Sequence, residues 1–217
     1  MPVAVINGRC VLFVHIPKTG GSSVERFLSG NGPLLLKGHG RPAGLRCSAQ
    51  HLHAAALGAI QGAKEYDWAF TIVRHPVARL VSEYRYEMRK PGWLRSRLSF
   101  WSWLALALAR QAVDPWYRDN HFRAQHAFIL PGMEIMRFED GVDACLRRVA
   151  ERLGVPAPTT SIREKMSPHT PITLTAPVLA RIGQAYERDL EQFGYGMDEA
   201  SLLDAGIKPD MLGHRPS

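Results

Sequence analysis

The sequence predicts a three-layer α/β fold, with a central parallel sheet flanked by helices. Three observations predict it. Short, nearly unbroken apolar runs at Cys10–His15 and Trp68–Val73 suit strands buried on both faces of a parallel sheet. Each run is followed by a stretch of helical period, and a third such pair lies at 134–153. Strands alternating with helices imply parallel pairing, and in such sheets ligands gather beyond the carboxyl ends of the strands.

The first run stops at Pro17. Lys18-Thr19-Gly20-Gly21-Ser22-Ser23 follow, and Val24, Phe27 and Leu28 then recur at helical spacing. Glycines and serines thus fall where a strand turns into the first turn of a helix. That geometry suits an anion, because free backbone N–H groups and the positive end of the helix dipole point into the turn. Lysine adds a point charge and the hydroxyls add donors. The arrangement is P-loop-like, yet it is not the nucleoside-triphosphate loop: Lys18 precedes the glycines, and Pro17 stands where that loop has glycine before its lysine. The plain alternative is an ordinary capped helix.

Leu34–Lys37 reads as a second strand, and Ser48–Ala63 as a helix with Ser48 as its N-cap. Trp68–Val73 is the central strand. It ends in Arg74-His75-Pro76, with Pro76 starting a helix over Val77–Lys90. Arg74 then emerges at the same sheet edge as Lys18. Ser82 lies about two turns along the helix, on the side that Arg74 faces. Leu98–Val113 reads as one helix, apolar on most sides and hence largely buried. The tryptophans around it, Trp93, Trp101, Trp103 and Trp116, either stack on sugar rings or belong to the core. Glu134–Asp140 is the last strand, followed by a helix over Val142–Leu153 that ends at Gly154. Thr159–Thr175 reads as an ordered loop, Ala176–Phe193 as the final helix and Leu202–Ser217 as a loose tail. The whole is expected to be one domain over residues 1–200, with 201–217 as a tail.

Composition narrows the function. Hydrophobic residues at 46% and charged residues at 22% are ordinary globular values. A net charge of +7 calls for anionic partners. Nucleic acid is not expected, since there is no zinc-finger spacing, RNP-like strand or basic helical arm. The three cysteines show no C-x-x-C spacing, so neither a disulfide framework nor a zinc site is expected. The amino terminus has no signal-peptide pattern, and the apolar stretch 98–113 is too short to span a bilayer.

Phe13-Val14-His15-Ile16-Pro17-Lys18-Thr19-Gly20-Gly21-Ser22-Ser23 resembles the 5′-phosphosulfate-binding loop of sulfotransferases that use 3′-phosphoadenosine 5′-phosphosulfate (PAPS). It resembles in particular the carbohydrate sulfotransferases related to heparan sulfate 2-O-sulfotransferase. Val73-Arg74-His75-Pro76-Val77-Ala78-Arg79-Leu80-Val81-Ser82-Glu83-Tyr84 is similar to the R-x7-S element that grips the 3′-phosphate in those enzymes. Asn120–Gln125 resembles a segment whose aromatic residue and glutamine lie near the acceptor. The 134–154 pair and Tyr186–Tyr195 resemble later family segments, in family order. The resemblance implies PAPS as co-substrate, the bisphosphate PAP as product and no metal. It implies Lys18, Thr19, Gly20, Gly21, Ser22 and Ser23 at the 5′ end and Arg74 and Ser82 at the 3′-phosphate. Lys165 and Ser167 would come from a loop folded over the nucleotide. The acceptor would be a hydroxyl, of a carbohydrate or glycolipid. Animal relatives are anchored in Golgi membranes; the lack of an anchor here points to a bacterial, cytoplasmic enzyme.

Sulfuryl transfer needs an acceptor oxygen in line with the leaving phosphate, a base for its proton and cations where charge collects. Lys18 suits the electrostatic part. For the base, histidine is the natural type. Of nine histidines, His15 is expected to point inward and His75 to be structural; among the others the sensible candidates are His39, His51, His53, His121 and His169. In 2-O-sulfotransferase relatives a histidine at the start of the helix before the central strand serves, and Gln50-His51-Leu52-His53 sits there. His51 is the first choice and His53 the second; either could instead cap or pack the helix, and Glu83 is the reserve. Two competing functions are a nucleotide-dependent kinase on the same loop and a PAP- or glycan-binding module without turnover.

Overall fold

The computed structural model describes residues 2–38, 40–41, 44–60, 66–89, 98–159 and 172–213. Val3–Ile6 (β1) and Arg9–Val14 (β2) form an antiparallel hairpin. Its turn is Asn7-Gly8, both at positive φ, 50° and 74°. That is the backbone a two-residue hairpin turn requires, and Asn-Gly is a pair that adopts it readily. Helix α1 (Gly21–Asn31) follows, then β3 (Leu34–Leu35), α2 (Ala54–Ile60), β4 (Trp68–Val73) and α3 (Pro76–Met88). After them come α4 (Phe100–Val113), β5 (Glu134–Arg137), α5 (Val142–Leu153), α6 (Ala176–Ala185), α7 (Glu187–Phe193) and α8 (Glu199–Asp204).

The sheet order is β3-β1-β2-β4-β5, parallel through β2, β4 and β5 and antiparallel at the β3-β1 edge. In β2, Val11 and Phe13 enter one apolar cluster with α1 and α5, while Leu12 and Val14 enter another with α2. Both faces are covered, which is why the run is unbroken rather than alternating. A third cluster joins α3, α4, α6 and α8 beside the sheet. Among the described residues no helix is long and apolar enough to cross a membrane.

Several elements differ from the sequence reading. β1 was not expected, although Asn7-Gly8 between two apolar runs signals it. The 48–63 helix is broken. Ala49–His51 is one 3₁₀ turn, Leu52 is extended, and α2 begins only at Ala54. Ser48 does not cap it; its N–H and Oγ go to Asp119, and Asn120 Nδ2 donates to His51 O at 2.8 Å. These tertiary bonds outcompete helix continuation. α4 is not largely buried: Phe100, Trp103, Leu104 and Ala107 form one inward stripe, whereas Trp101 and Val113 are 46% and 88% exposed. The final helix divides at Tyr186, whose buried hydroxyl donates to Phe122 O. The division lets Asp189 accept the N–H groups of Gln125 and His126. The stretch beyond 200 is not loose as far as 213. Leu202, Ile207 and Met211 are buried in the helical cluster, and Leu174 N–H donates to Met211 O.

Candidate active site

Parallel register aligns the carboxyl ends of three strands, with Val14 beside Thr71 and Val73 beside Arg137. Each strand then delivers side chains to one edge: His15–Ser23 after β2, Arg74 after β4 and Phe138 after β5. They meet in a cleft of about 200 Å³, which Ser82 and Tyr86 of α3, Gln50, His51 and His121 also line.

The loop after β2 is held from behind. Lys18 and Gly20 both take positive φ, 71° and 87°, and Gly20 precedes the first turn of α1. Gly21 lies flat against the His15 ring; a Cβ there would stand 2.1 Å from His15 Nε2. His15 Nδ1 in turn bonds Glu25 Oε1 at 2.5 Å, one turn into α1. A loop residue, the ring behind it and the helix that follows are therefore one packed unit. Burial lowers the His15 pKa against the opposing pull of Glu25. Thr19 folds away from the cleft, its hydroxyl donating to Ile16 O at 2.9 Å, so only its backbone can face an anion.

Arg74 is half-buried beside this loop. One terminal nitrogen donates to Lys18 O at 3.2 Å, the guanidinium lies 4.1 Å from the Phe138 ring centroid, and Nε has no partner among the described residues. Burial lowers its pKa to about 10 despite Glu139, so it remains charged at neutral pH. Its backbone is clamped by Gln125, which accepts Arg74 N–H at 2.9 Å and donates to Arg74 O at 2.7 Å. Gln125 and Phe122 are thus fully packed inside. The Lys18 ammonium sits 4.3 Å from the Tyr86 ring centroid.

Three histidines line the same cleft, each with Nδ1 on a carboxylate. His15 pairs with Glu25, His51 with Asp119 at 2.8 Å and His121 with Glu83 at 2.8 Å. The rings run edge to face, 5.0 Å from His15 to His51 and 5.1 Å from His51 to His121. Burial pushes His51 down to about 3, outweighing Asp119, so the ring is neutral and donates Nδ1–H to that carboxylate. Burial alone would raise Asp119, but bonds from His51 and Ser48 hold it below the usual carboxylate range.

Of the predicted residues, Lys18, Gly20, Gly21, Ser22, Ser23, His51, Arg74 and Ser82 line this one cleft. His53 does not; it packs 4.8 Å from Trp116, and burial lowers it to about 4. Glu83 is buried as the partner of His121. His75 bonds Gly196 O and accepts Val77 N–H, a structural role as expected. Lys165, Ser167, His39, His169 and Trp93 lie outside the described residues. Sequence reasoning missed Tyr86, Phe138, Gln50 and Asp119. Tyr86 is signalled by its place one turn beyond Ser82, and Phe138 by following β5. Nothing in the sequence points to Asp119, which is 68 residues from His51.

A larger groove of about 660 Å³ lies at the opposite, amino ends of the strands. Several of its charged groups are tied up locally: Arg148 pairs with Glu134, while Asp67 accepts the backbone Cys10 N–H and Arg9 donates to the backbone Arg152 O. The carboxyl-end cleft is therefore the candidate site, in keeping with where parallel sheets bind ligands.

No curated protein and no solved structure matches the chain. The profile of the sulfotransferase family matches residues 4–196, from β1 to the glycines after α7, and so spans every wall of the cleft just described; the chain belongs to that family.

Proposed function

We propose that the protein moves a sulfuryl group from PAPS to a hydroxyl of a carbohydrate or glycolipid, with PAP as the product. The observation that carries this is the convergence of Lys18, Arg74 and the amino end of α1 on one cleft. The residues fit a nucleotide bearing two anionic ends. The Gly20-Gly21 turn opens α1, whose amino end favours an anion, and the buried Arg74 Nε is a donor without a partner among the described residues. At about 200 Å³ the cleft is smaller than the ~300–1,000 Å³ of a typical ligand pocket, so it encloses part of the nucleotide and not the whole of it.

In this reading Lys18 and the amides from Thr19 to Ser23 stabilise charge on the leaving 5′-phosphate. Arg74 and Ser82 hold the 3′-phosphate. The acceptor oxygen bonds to sulfur as the sulfur–oxygen bond to phosphate breaks, and the hydroxyl proton passes to His51. Asp119 keeps Nδ1 protonated, which reserves Nε2 for that proton. Negative charge on bound PAPS raises the basicity of a ring that burial otherwise depresses. The test is calorimetric titration with PAP, with and without Mg²⁺, then incubation of labelled PAPS with a glycan panel. Metal-independent PAP binding and label transfer support the reading. Mg²⁺-dependent ATP turnover favours a kinase, and PAP binding without transfer to any acceptor favours a binding module.

A further inference from the structure

We infer that the outer face of α4 docks on an anionic bilayer surface, with Trp101, Leu106 and Val113 entering the acyl boundary and Arg110 among the headgroups. The docking is independent of the chemistry in the cleft.

A helix at the surface of a folded chain normally turns charged residues to water. α5 does so: its exposed positions are Arg147, Arg148, Glu151 and Arg152. α4 does not. It turns Phe100, Trp103, Leu104 and Ala107 inward, and Trp103 Nε1 donates to the buried Glu87 at 3.0 Å, which fixes its rotation. Of the eight positions left exposed, only Ser102 and Arg110 are polar; the rest are Trp101, Ala105, Leu106, Ala109, Ala112 and Val113. Trp101 and Leu106 are each 46% exposed. Removing such side chains from water is favourable, so the face has a driving force to be covered.

Charge and size name what covers it. α4 has no acidic residue, and Asp114, which follows it, is paired with Arg46 at 2.8 Å. The sequence entering the helix, 89–99, holds Arg89, Lys90, Arg95 and Arg97 and no Asp or Glu; residues 90–97 lie outside the described residues and count by sequence alone. Basic residues beside an apolar face that carries tryptophan suit anionic headgroups over an acyl layer. The face is fourteen residues long, about 21 Å, and about 10 Å wide. Two copies facing each other through it would bury roughly 400 Å², well short of the ~1,200 Å² of a stable interface, and each copy carries a net charge of +7. A bilayer takes up any apolar contour, so it needs no matching surface.

The test uses the full chain with vesicles of phosphatidylcholine alone and of phosphatidylcholine with about one third phosphatidylglycerol. Cosedimentation is expected to be about tenfold stronger on the anionic vesicles and to weaken as salt rises. The double variant Trp101→Gln, Leu106→Gln is expected to lose about tenfold or more of that partition while keeping the wild-type melting temperature. No cosedimentation with anionic vesicles, equal partition onto neutral ones, or full retention by the double variant overturns the inference. A concentration-dependent dimer in analytical ultracentrifugation that the double variant abolishes overturns it too, and assigns the face to a second copy. Brominated acyl chains in the anionic vesicles are expected to quench wild-type tryptophan fluorescence, and unquenched fluorescence overturns the docking. That arm needs no variant, so it decides even where a substitution disturbs folding.

Discussion

At Lys18 the backbone takes a left-handed conformation that costs a non-glycine residue of order 1–3 kcal/mol, and the surrounding loop maintains it. In the proposed mechanism that strain aims the ammonium at the leaving phosphate. Lys18→Ala is expected to lower kcat about 10²–10³-fold, the scale of losing one preorganised stabilising group, as read by single-turnover transfer of labelled sulfate. Arg74→Ala should act differently, raising the Kd for PAP at least tenfold in calorimetry, and Arg74→Lys should not restore it, since a lysine cannot reproduce the planar guanidinium over Phe138. Unimpaired turnover or binding in these variants would contradict the roles. His51 sets a pH dependence. Its folded pKa of about 3 lies below the ordinary 6.5, so acid protonates the unfolded chain first. Stability from this ring is fully present above pH 6.5 and is lost as pH falls from there towards 3. Asp119, also depressed, adds to the loss at lower pH. The melting temperature should decline from pH 7 to pH 4.5, and less steeply in His51→Gln; parallel slopes would show that His51 is not the group responsible.

At the scale of elements, α1 is held in place by the contact between Gly21 and the His15 ring. Gly21→Ala puts a methyl into that ring and should displace the loop, lowering both the melting temperature and PAP affinity. His15→Ala makes room, so the double variant should recover stability relative to Gly21→Ala alone, a coupling that a thermal-melt double-mutant cycle reads directly. The elements legible in the sequence are those whose signals are local. β2 and β4 are buried on both faces and hence continuously apolar, α3 opens with Pro76, and α5 closes with Gly154 in the left-handed conformation. Lys18 and Arg74 were legible for the same reason, each following such a strand. The break at Leu52 was not, because it depends on Asp119 and Asn120 reaching across from a distant turn. The carboxylate partners of the three histidines were hidden likewise; pairings 10, 68 and 38 residues apart leave no periodic trace.

On the scale of the whole molecule, the helical cluster beside the sheet holds α3, and α3 carries Ser82 and Tyr86 into the cleft. Residues beyond 200 belong to that cluster, so Ile207→Ala should cost roughly 2–5 kcal/mol in denaturant midpoint at unchanged m value, the range for emptying a packed aliphatic site. A change below about 0.5 kcal/mol would mean the segment is loosely attached. The catalytic proposal depends on a single geometric fact, that two cationic residues from neighbouring parallel strands open on the same space. Calorimetric titration of PAP into wild type, Lys18→Ala and Arg74→Ala tests it most directly. The account predicts binding that is independent of Mg²⁺, undisturbed by excess ATP and weakened in both variants. Binding that requires Mg²⁺, or that both variants retain in full, would contradict it.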